Sequence, residues 1–136
     1  SQDEDVKNLI KELNLEDLFI LTGFQEKVNA FYPIIDVFFL PSLYEGLPMV
    51  LLEAMAFKKA VISMNVGSIS EVIMNEKTGI LIAQGNYEKF INELIRLKSN
   101  EILRNKLCLK GFEYINKNYN IKNYEDKIRN LYGQLI

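Results

Sequence analysis

The sequence predicts an α/β fold built on a parallel sheet, for three reasons. Its strand candidates are continuously apolar rather than alternating, which suits strands covered on both faces. Helical segments lie between these runs, as right-handed crossovers require. The chain has 136 residues and is 49% hydrophobic, enough for one domain with a core. We therefore expect a Rossmann-like sheet of about four to five strands, with helices on both faces and a helical C-terminal end.

The expected strand–helix core covers about residues 16–98. Its strand candidates are four short apolar runs: residues 18–22, 36–40, 60–64 and 79–82. Its helix candidates precede or separate these runs: residues 3–13, 26–33, 48–57 and 70–74. Together the runs indicate a single domain.

The strands stop after about Asn86, and three helical segments are expected over residues 87–98, 101–118 and 121–136. Asn100 is a suitable N-terminal cap for the second of these helices. The third carries apolar side chains at spacings of three and four: Ile121, Tyr124, Ile128, Leu131 and Leu135. This stripe must be buried either on the domain's own sheet or against a partner domain.

Composition excludes several classes of protein. With 16 basic and 18 acidic residues, the net charge of −2 gives no basic field for nucleic acid. The absence of histidine rules out a Ser-His-Asp triad or a histidine-rich metal site within this chain. The single cysteine, Cys108, fits a reducing compartment. We find no signal peptide and no apolar run long enough to span a bilayer, and we expect a cytoplasmic protein without a metal or other cofactor.

A turn at Gly46-Leu47-Pro48 is expected to begin a helix and to bind an anion there. Pro48 suits the first helical position, which puts Leu47 at the cap without a side-chain oxygen. The amides of Leu47, Met49 and Val50 then lack a local side-chain acceptor at the positive end of the helix dipole. Such a helix start is a phosphate site, and Gly46 would let the backbone approach closely. The alternative is a helix start capped by water.

Glu53 is a carboxylate within an otherwise apolar run. A buried carboxylate is costly unless something pairs with it, and nothing nearby in sequence does. It lies five residues beyond Pro48, roughly 7.5 Å along a helix, which is about the span from a diphosphate to the ribose hydroxyls of a nucleotide. A carboxylate can accept both hydroxyls of a ribose. The alternative is a side chain that points to solvent.

Three further positions are weaker candidates. Glu45 would lie near the phosphates, where it could bind sugar hydroxyls or stabilise positive charge at an anomeric carbon; alternatively, it caps a loop amide. Phe24 follows a predicted strand at the edge where such sheets bind ligands, and lies either beside a base or in the core. Ser68, followed by Glu71, has the pattern of a capping box.

The motifs together resemble the donor-binding domain of a retaining glycosyltransferase of family 4, which has the two-domain GT-B fold. The similarity is specific from about Gly23 to Leu81 and rests on motifs in the expected order: DVFFLPS (36–42), EGLP (45–48), LLEAMA (51–56), AVI (60–62), GSISE (67–71) and TGIL (78–81). The family often has Gly-Phe-Gly where this chain has Gly46-Leu47-Pro48.

The resemblance implies that Glu53 holds the donor ribose, Glu45 contacts the donor sugar or its phosphates, and amides at 47–50 hold the diphosphate. It implies sugar transfer from a nucleoside-diphosphate sugar to a glycan or lipid-linked acceptor without a metal, in surface polysaccharide synthesis. The family's basic phosphate clamp and its acceptor domain have no counterpart in this chain. We therefore expect an N-terminally truncated donor domain, inactive alone, whose parent contacts the inner face of the membrane only through the missing half. The alternatives are a non-catalytic nucleotide- or protein-binding module and a nucleotide-sugar epimerase.

Overall fold

A computed structural model describes residues 2–120 and shows helices packed around a parallel sheet. The elements follow in this order: α1 (Gln2–Glu12), two 3-10 turns (Val28–Ala30 and Tyr32–Ile34), β1 (Val37–Leu40), α2 (Met49–Ala56), β2 (Ala60–Asn65), α3 (Ile69–Val72), β3 (Ile80–Ala83), α4 (Tyr87–Ser99) and α5 (Glu101–Asn118).

The described sheet has three strands in the order β1-β2-β3, and both strand pairs are parallel. Val37 lies opposite Ala60, and Ile62 lies opposite Ile80. The first five residues of β2 are buried, as expected of a central strand. The parallel α/β class is confirmed, and the carboxyl ends of all three strands meet at one edge of the sheet.

Helical elements cover both faces of the sheet. Phe38 and Phe39 are neighbours on β1 and therefore point to opposite faces. Phe39 meets Phe90 of α4 edge-on, with ring centroids 6.4 Å apart. Phe38 meets Tyr32, 6.3 Å away, and the Tyr32 ring in turn stacks on Phe57 at the end of α2. The predicted two-sided covering is thus confirmed.

The prediction of four to five strands is wrong for the described residues, because residues 18–22 form no strand. Their backbone is irregular, and the side chains of Leu18 and Ile20 are 77% and 88% exposed. A strand is stabilised by hydrogen bonds to a neighbour and by burial of its faces. Within the described part of the chain this run has neither, so its apolar composition alone does not make it a strand.

The predicted helix at 26–33 is also wrong and is replaced by the two 3-10 turns. Pro33 contributes to this, because proline has no amide hydrogen to donate within a longer helix and is tolerated in a first turn, which is where it lies in Tyr32–Ile34. The other helices lie close to their expected positions, except that α3 is a single turn. The stripe from Ile121 to Leu135 lies outside the described residues.

Of the two helix caps expected from the sequence, at Asn100 and at Ser68, one is present and the other is not. Asn100 caps α5 as predicted, since its Oδ1 accepts the Leu103 amide at 2.9 Å. Ser68 precedes α3 but makes no side-chain cap bond, so the capping-box prediction is wrong. Its φ of −90° and ψ of 14° lie outside the extended region that directs a capping hydroxyl to the helix amides.

Candidate functional site

The start of α2 is a helix N-terminus without a side-chain cap. The helix begins at Met49, and Pro48 is the cap residue in an extended conformation, with φ −74° and ψ 109°. This is one residue later than the sequence predicts, since Pro48 was expected in the first turn and Leu47 at the cap. The first amide bonded within the turn is that of Leu51, which donates to the Pro48 carbonyl at 3.0 Å. The amides of Met49 and Val50 therefore lie at an open, positively polarised helix end.

The loop that carries Glu45 is held to the rest of the sheet edge by backbone contacts. Gln84, just beyond β3, donates from Nε2 to the Leu43 carbonyl at 3.2 Å. The Ser68 amide donates to the Gly46 carbonyl at 3.3 Å. Both anchors come from the carboxyl ends of neighbouring strands, so the sheet fixes the position of this loop.

Gly67 lies directly against this loop. Its φ is +53°, a conformation that side chains rarely adopt, and a Cβ there would overlap the Glu45 carbonyl oxygen. Gly46, by contrast, faces open space at the position of a Cβ, so a ligand can reach its backbone. The Glu45 side chain itself is half-buried, and within residues 2–120 its carboxylate has no hydrogen-bond partner.

Glu53 lies on α2, half-buried, with a partner that is distant in sequence. The Tyr32 hydroxyl donates to Glu53 Oε2 at 2.9 Å and also lies 3.2 Å from the Val50 carbonyl. Tyr32 is 1% exposed. Sequence reasoning missed this partner, because 21 residues separate the pair and no periodic pattern links them.

Burial, the hydrogen bond to Glu53 and the negative charge of that carboxylate, in decreasing order of effect, together raise the pKa of Tyr32 to about 12. The phenol therefore keeps its proton at neutral pH and acts as a donor to Glu53. The contact leaves the carboxylate with unused acceptor positions, since a carboxylate has about four.

Glu53 also lines a groove with a volume of about 550 Å³. One wall is α2 with Val50 and Phe57, and the other is the segment from Glu26 to Asn29. The volume lies within the range of small-molecule sites. The groove combines apolar side chains with both charges, of which Lys27 is the positive one. The apolar pair Val28 and Phe57 was not foreseen from the sequence, because neither belongs to a periodic pattern.

Phe24 lies apart from this groove. It is 92% exposed and lines a separate depression with Val6, Lys7 and residues 20–23. The structure thus brings Glu45, Gly46 and Leu47 into the loop before α2 and places Met49, Val50 and Glu53 on α2. It does not bring Phe24 to them.

Two negative observations apply to the part of the chain that the structure describes. It contains no cluster of three or more acidic, cysteine or histidine side chains arranged to hold a metal ion. None of its helices combines the length and the apolar character needed to cross a bilayer.

The fold is that of the C-terminal domain of GT-B glycosyltransferases. The chain superposes on the C-terminal domain of a glycosyl transferase group 1 family protein, LpcC from Francisella tularensis, with a TM-score of 0.79 and 28% identity over 88% of this chain and 63% of that chain. Residues 1–114 match the glycosyl transferases group 1 family. The chain belongs to that family, as its motifs predict.

Two relatives illustrate the range of the family. A UDP-Gal:alpha-D-GlcNAc-diphosphoundecaprenol alpha-1,3-galactosyltransferase of Escherichia coli is 31% identical over 129 residues, which are 95% of this chain and 33% of the relative. The amylovoran biosynthesis glycosyltransferase AmsK of Erwinia amylovora is 35% identical over 104 residues, 71% of this chain and 26% of that protein. The chain thus spans about a third of the length of such relatives.

The same fold occurs in Anabaena Alr3699/HepE, whose crystal structure contains UDP. The TM-score is 0.90 over 98% of this chain and 37% of HepE. At 18% identity this likeness shows the fold alone.

Proposed function

We propose that the chain is the donor-binding part of a retaining glycosyltransferase that moves a sugar from a nucleoside-diphosphate sugar to a glycan or lipid-linked acceptor. The observation that carries the proposal is the arrangement along α2. Glu53 lies in a groove, five residues from an uncapped helix start and roughly 7.5 Å from it along the axis. This spacing matches a nucleoside diphosphate lying along the helix. Membership of the glycosyl transferases group 1 family supports the reaction class.

Each part of the donor has a group to bind it. The diphosphate lies at the start of α2, against the amides of Met49 and Val50 and the open backbone of Gly46 and Leu47. The ribose hydroxyls donate to Glu53. The sequence suggested Phe24 as the apolar contact of the base. We assign this contact to Val28 and Phe57 instead, because these two side chains line the groove with Glu53.

In this arrangement Glu45 is the side chain nearest to the anomeric carbon of the donor sugar, where the reaction takes place. The loop places it immediately before the phosphate-binding turn, beside the sugar carried by the diphosphate. Its carboxylate accepts sugar hydroxyls and stabilises the positive charge that develops at the anomeric carbon as the diphosphate departs. In this proposal the helix end, together with the basic clamp, stabilises the departing diphosphate, and the reaction needs no metal.

The acceptor site and the basic clamp on the diphosphate lie, in this proposal, on residues outside the chain. The support is that the curated relatives are about three times as long. The name of the Escherichia coli relative contains a lipid diphosphate, AmsK is named for amylovoran biosynthesis, and CapM of Staphylococcus aureus is named for capsular polysaccharide biosynthesis. By analogy we place this protein in surface polysaccharide synthesis, at the cytoplasmic face of the membrane. The UDP-Gal in the name of the Escherichia coli relative favours a uridine nucleotide as donor.

The test is an amide NMR titration of the ¹⁵N-labelled chain with UDP, and with GDP and ADP for comparison. The proposal requires shifts at Leu47, Met49, Val50 and Glu53. Uridine is the matched control, because it keeps the ribose and lacks the diphosphate. Uridine should shift the groove residues Val50 and Glu53 while leaving Leu47 and Met49 in place. UDP binding that leaves residues 47–53 unmoved contradicts the proposal.

A further inference from the structure

Tyr32 contacts the groove residues from the buried side without lining the groove. Its ring stacks on Phe57, with centroids 5.0 Å apart and an angle of 23° between the planes. Its hydroxyl lies 2.9 Å from Glu53 Oε2. Both Phe57 and Glu53 line the groove, whereas Tyr32 is 1% exposed. Tyr32 can therefore act on a ligand only indirectly, through the groove residues that it contacts.

The hydroxyl has one proton and two acceptors within reach. The contact with Glu53 is shorter, at 2.9 Å, than that with the Val50 carbonyl, at 3.2 Å. A hydrogen bond to an ionised acceptor is also stronger than one to a neutral acceptor. The proton therefore goes mainly to Glu53 and restricts a side chain that otherwise rotates about three bonds.

We propose that Tyr32 is a positioning residue, which holds the Glu53 carboxylate in the orientation that accepts the two ribose hydroxyls of the nucleotide. This inference rests on the proposed function of Glu53. Tyr32 uses one acceptor position of Oε2 and leaves the other positions of the carboxylate to the ligand. The ring of Tyr32, held between Phe38 and Phe57, provides the fixed point from which the hydroxyl acts.

The experiment compares UDP with 2′,3′-dideoxy-UDP, which keeps the base and the diphosphate and lacks both ribose hydroxyls. Tyr32→Phe keeps the ring and removes the hydroxyl. We expect its dissociation constant for UDP, measured by amide NMR, to rise roughly threefold to tenfold, the effect of one orienting hydrogen bond. Its constant for dideoxy-UDP should not change. A purely structural role would weaken both ligands equally and would overturn the proposal.

Tyr87→Phe is the matched control, because it removes the hydroxyl of a half-exposed tyrosine on α4 that does not line the groove. It should leave both dissociation constants unchanged. Glu53→Gln separates this inference from the proposed function. If Glu53→Gln retains the wild-type preference for UDP over dideoxy-UDP, the ribose role of Glu53 is wrong. If Glu53→Gln loses that preference and Tyr32→Phe keeps it, only the role of Tyr32 is wrong.

Two further measurements complete the test. The double variant Tyr32→Phe with Glu53→Gln should bind UDP no more weakly than Glu53→Gln alone, because Tyr32 acts through Glu53. In the unaltered chain, the phenolic proton of Tyr32 should shift on addition of UDP and stay in place with dideoxy-UDP. A phenolic proton that responds equally to both ligands contradicts the proposal, whatever the stability of the variants.

Discussion

Glu45 and Glu53 have different surroundings, which separates their expected contributions to binding. Glu53 lines the groove and is oriented by Tyr32. Glu45 lies in the preceding loop, with a carboxylate that has no partner within the described residues. In our proposal, Glu53 is therefore oriented for the ribose hydroxyls before the nucleotide binds, whereas Glu45 gains a partner only when a donor sugar is present.

This difference predicts the effect of removing each carboxylate on binding of UDP, which carries no sugar beyond its ribose. Glu53→Ala should weaken UDP binding about tenfold or more, because two hydrogen bonds to the ribose are lost. Glu45→Ala should weaken it by less than about threefold. Isothermal titration or NMR titration measures both. Equal effects of the two substitutions would show that the roles are wrongly assigned.

Tyr32 also predicts a pH dependence of stability. Its pKa is about 12 in the folded chain, against an ordinary value of 10, so the unfolded chain loses this proton first as the pH rises. The stabilisation is complete below pH 10 and is lost as the pH rises to 12. Denaturant unfolding at several pH values should therefore show a flatter decline for Tyr32→Phe than for the unaltered chain. Parallel declines would contradict the raised pKa.

The sequence predicts part of this site and omits the rest for a physical reason. Glu53, Glu45 and the helix start are all encoded within residues 45–53, where helix geometry converts spacing into distance. The Tyr32 contact and the groove wall at Val28 depend on how the two 3-10 turns pack against α2. Such packing has no period in the sequence, so only the structure shows it.

At the scale of elements, side-chain hydrogen bonds determine how some of the helix ends are stabilised. The turn between α4 and α5 has side-chain partners on both sides: Asn100 caps the start of α5, and Arg104 donates from Nη1 to the Leu97 and Lys98 carbonyls at 2.9 and 3.1 Å. The start of α2 has no such partner. The start of α3 also lacks a side-chain cap. The binding role proposed for α2 therefore depends on the position of its start beside the groove of Glu53, and not on the missing cap alone.

The cap of α5 predicts a measurable loss of stability. Asn100→Ala removes the acceptor of the Leu103 amide and should lower the free energy of unfolding by about 1 kcal/mol. Asn105→Ala is the matched control, because Asn105 is exposed within the same helix. It should leave stability unchanged or raise it slightly. Thermal unfolding of both variants checks the prediction, and equal melting temperatures would contradict it.

The close contact of Gly67 with the loop that carries Glu45 predicts a second loss of stability. Gly67→Ala places a methyl group against the Glu45 carbonyl in an unfavourable backbone conformation. It should lower the free energy of unfolding by about 1–3 kcal/mol and shift the amide resonances of residues 43–47. Gly46→Ala is the control for stability, since its Cβ meets open space. If the amide resonances of residues 43–47 do not shift in Gly67→Ala, the contact with Gly67 does not fix the position of this loop.

The sequence-based predictions of secondary structure are wrong where burial or strand pairing, rather than local composition, determines the structure. Residues 18–22 have the composition of a strand, yet no described strand pairs with them. Residues 26–33 contain Pro33, which limits the helix to short turns. The elements from α2 to α5 agree with the sequence because each carries its own start, end and apolar face.

At the scale of the whole molecule, the described residues form one layered unit around a short sheet with the site at its edge. The chain belongs to the glycosyl transferases group 1 family and spans about a third of the length of its curated relatives. Several apolar side chains of α1 and of residues 18–21 are about half exposed or more, including Leu9 and Ile20. The groove beside Glu53, by contrast, is lined by residues 26–29 together with Val50 and Phe57.

This leads to a prediction for the isolated chain. Purified 136-residue protein should bind UDP weakly and should transfer no sugar, because the acceptor site and the basic clamp lie elsewhere in our proposal. Incubation with radiolabelled UDP-sugars and lipid-linked acceptors, followed by product separation, checks this. Transfer above the level of a Glu45→Ala control would contradict it.

The loop before α2 is anchored by main-chain atoms: the carbonyls of Leu43 and Gly46 accept hydrogen bonds, and that of Glu45 abuts Gly67. The side chains of Leu43 and Tyr44 take no part in this anchoring and are 50% and 89% exposed. Evolution can therefore exchange these two residues without displacing the carboxylate beside them. A library randomised at positions 43 and 44 should thus leave the anchoring hydrogen bonds of this loop in place.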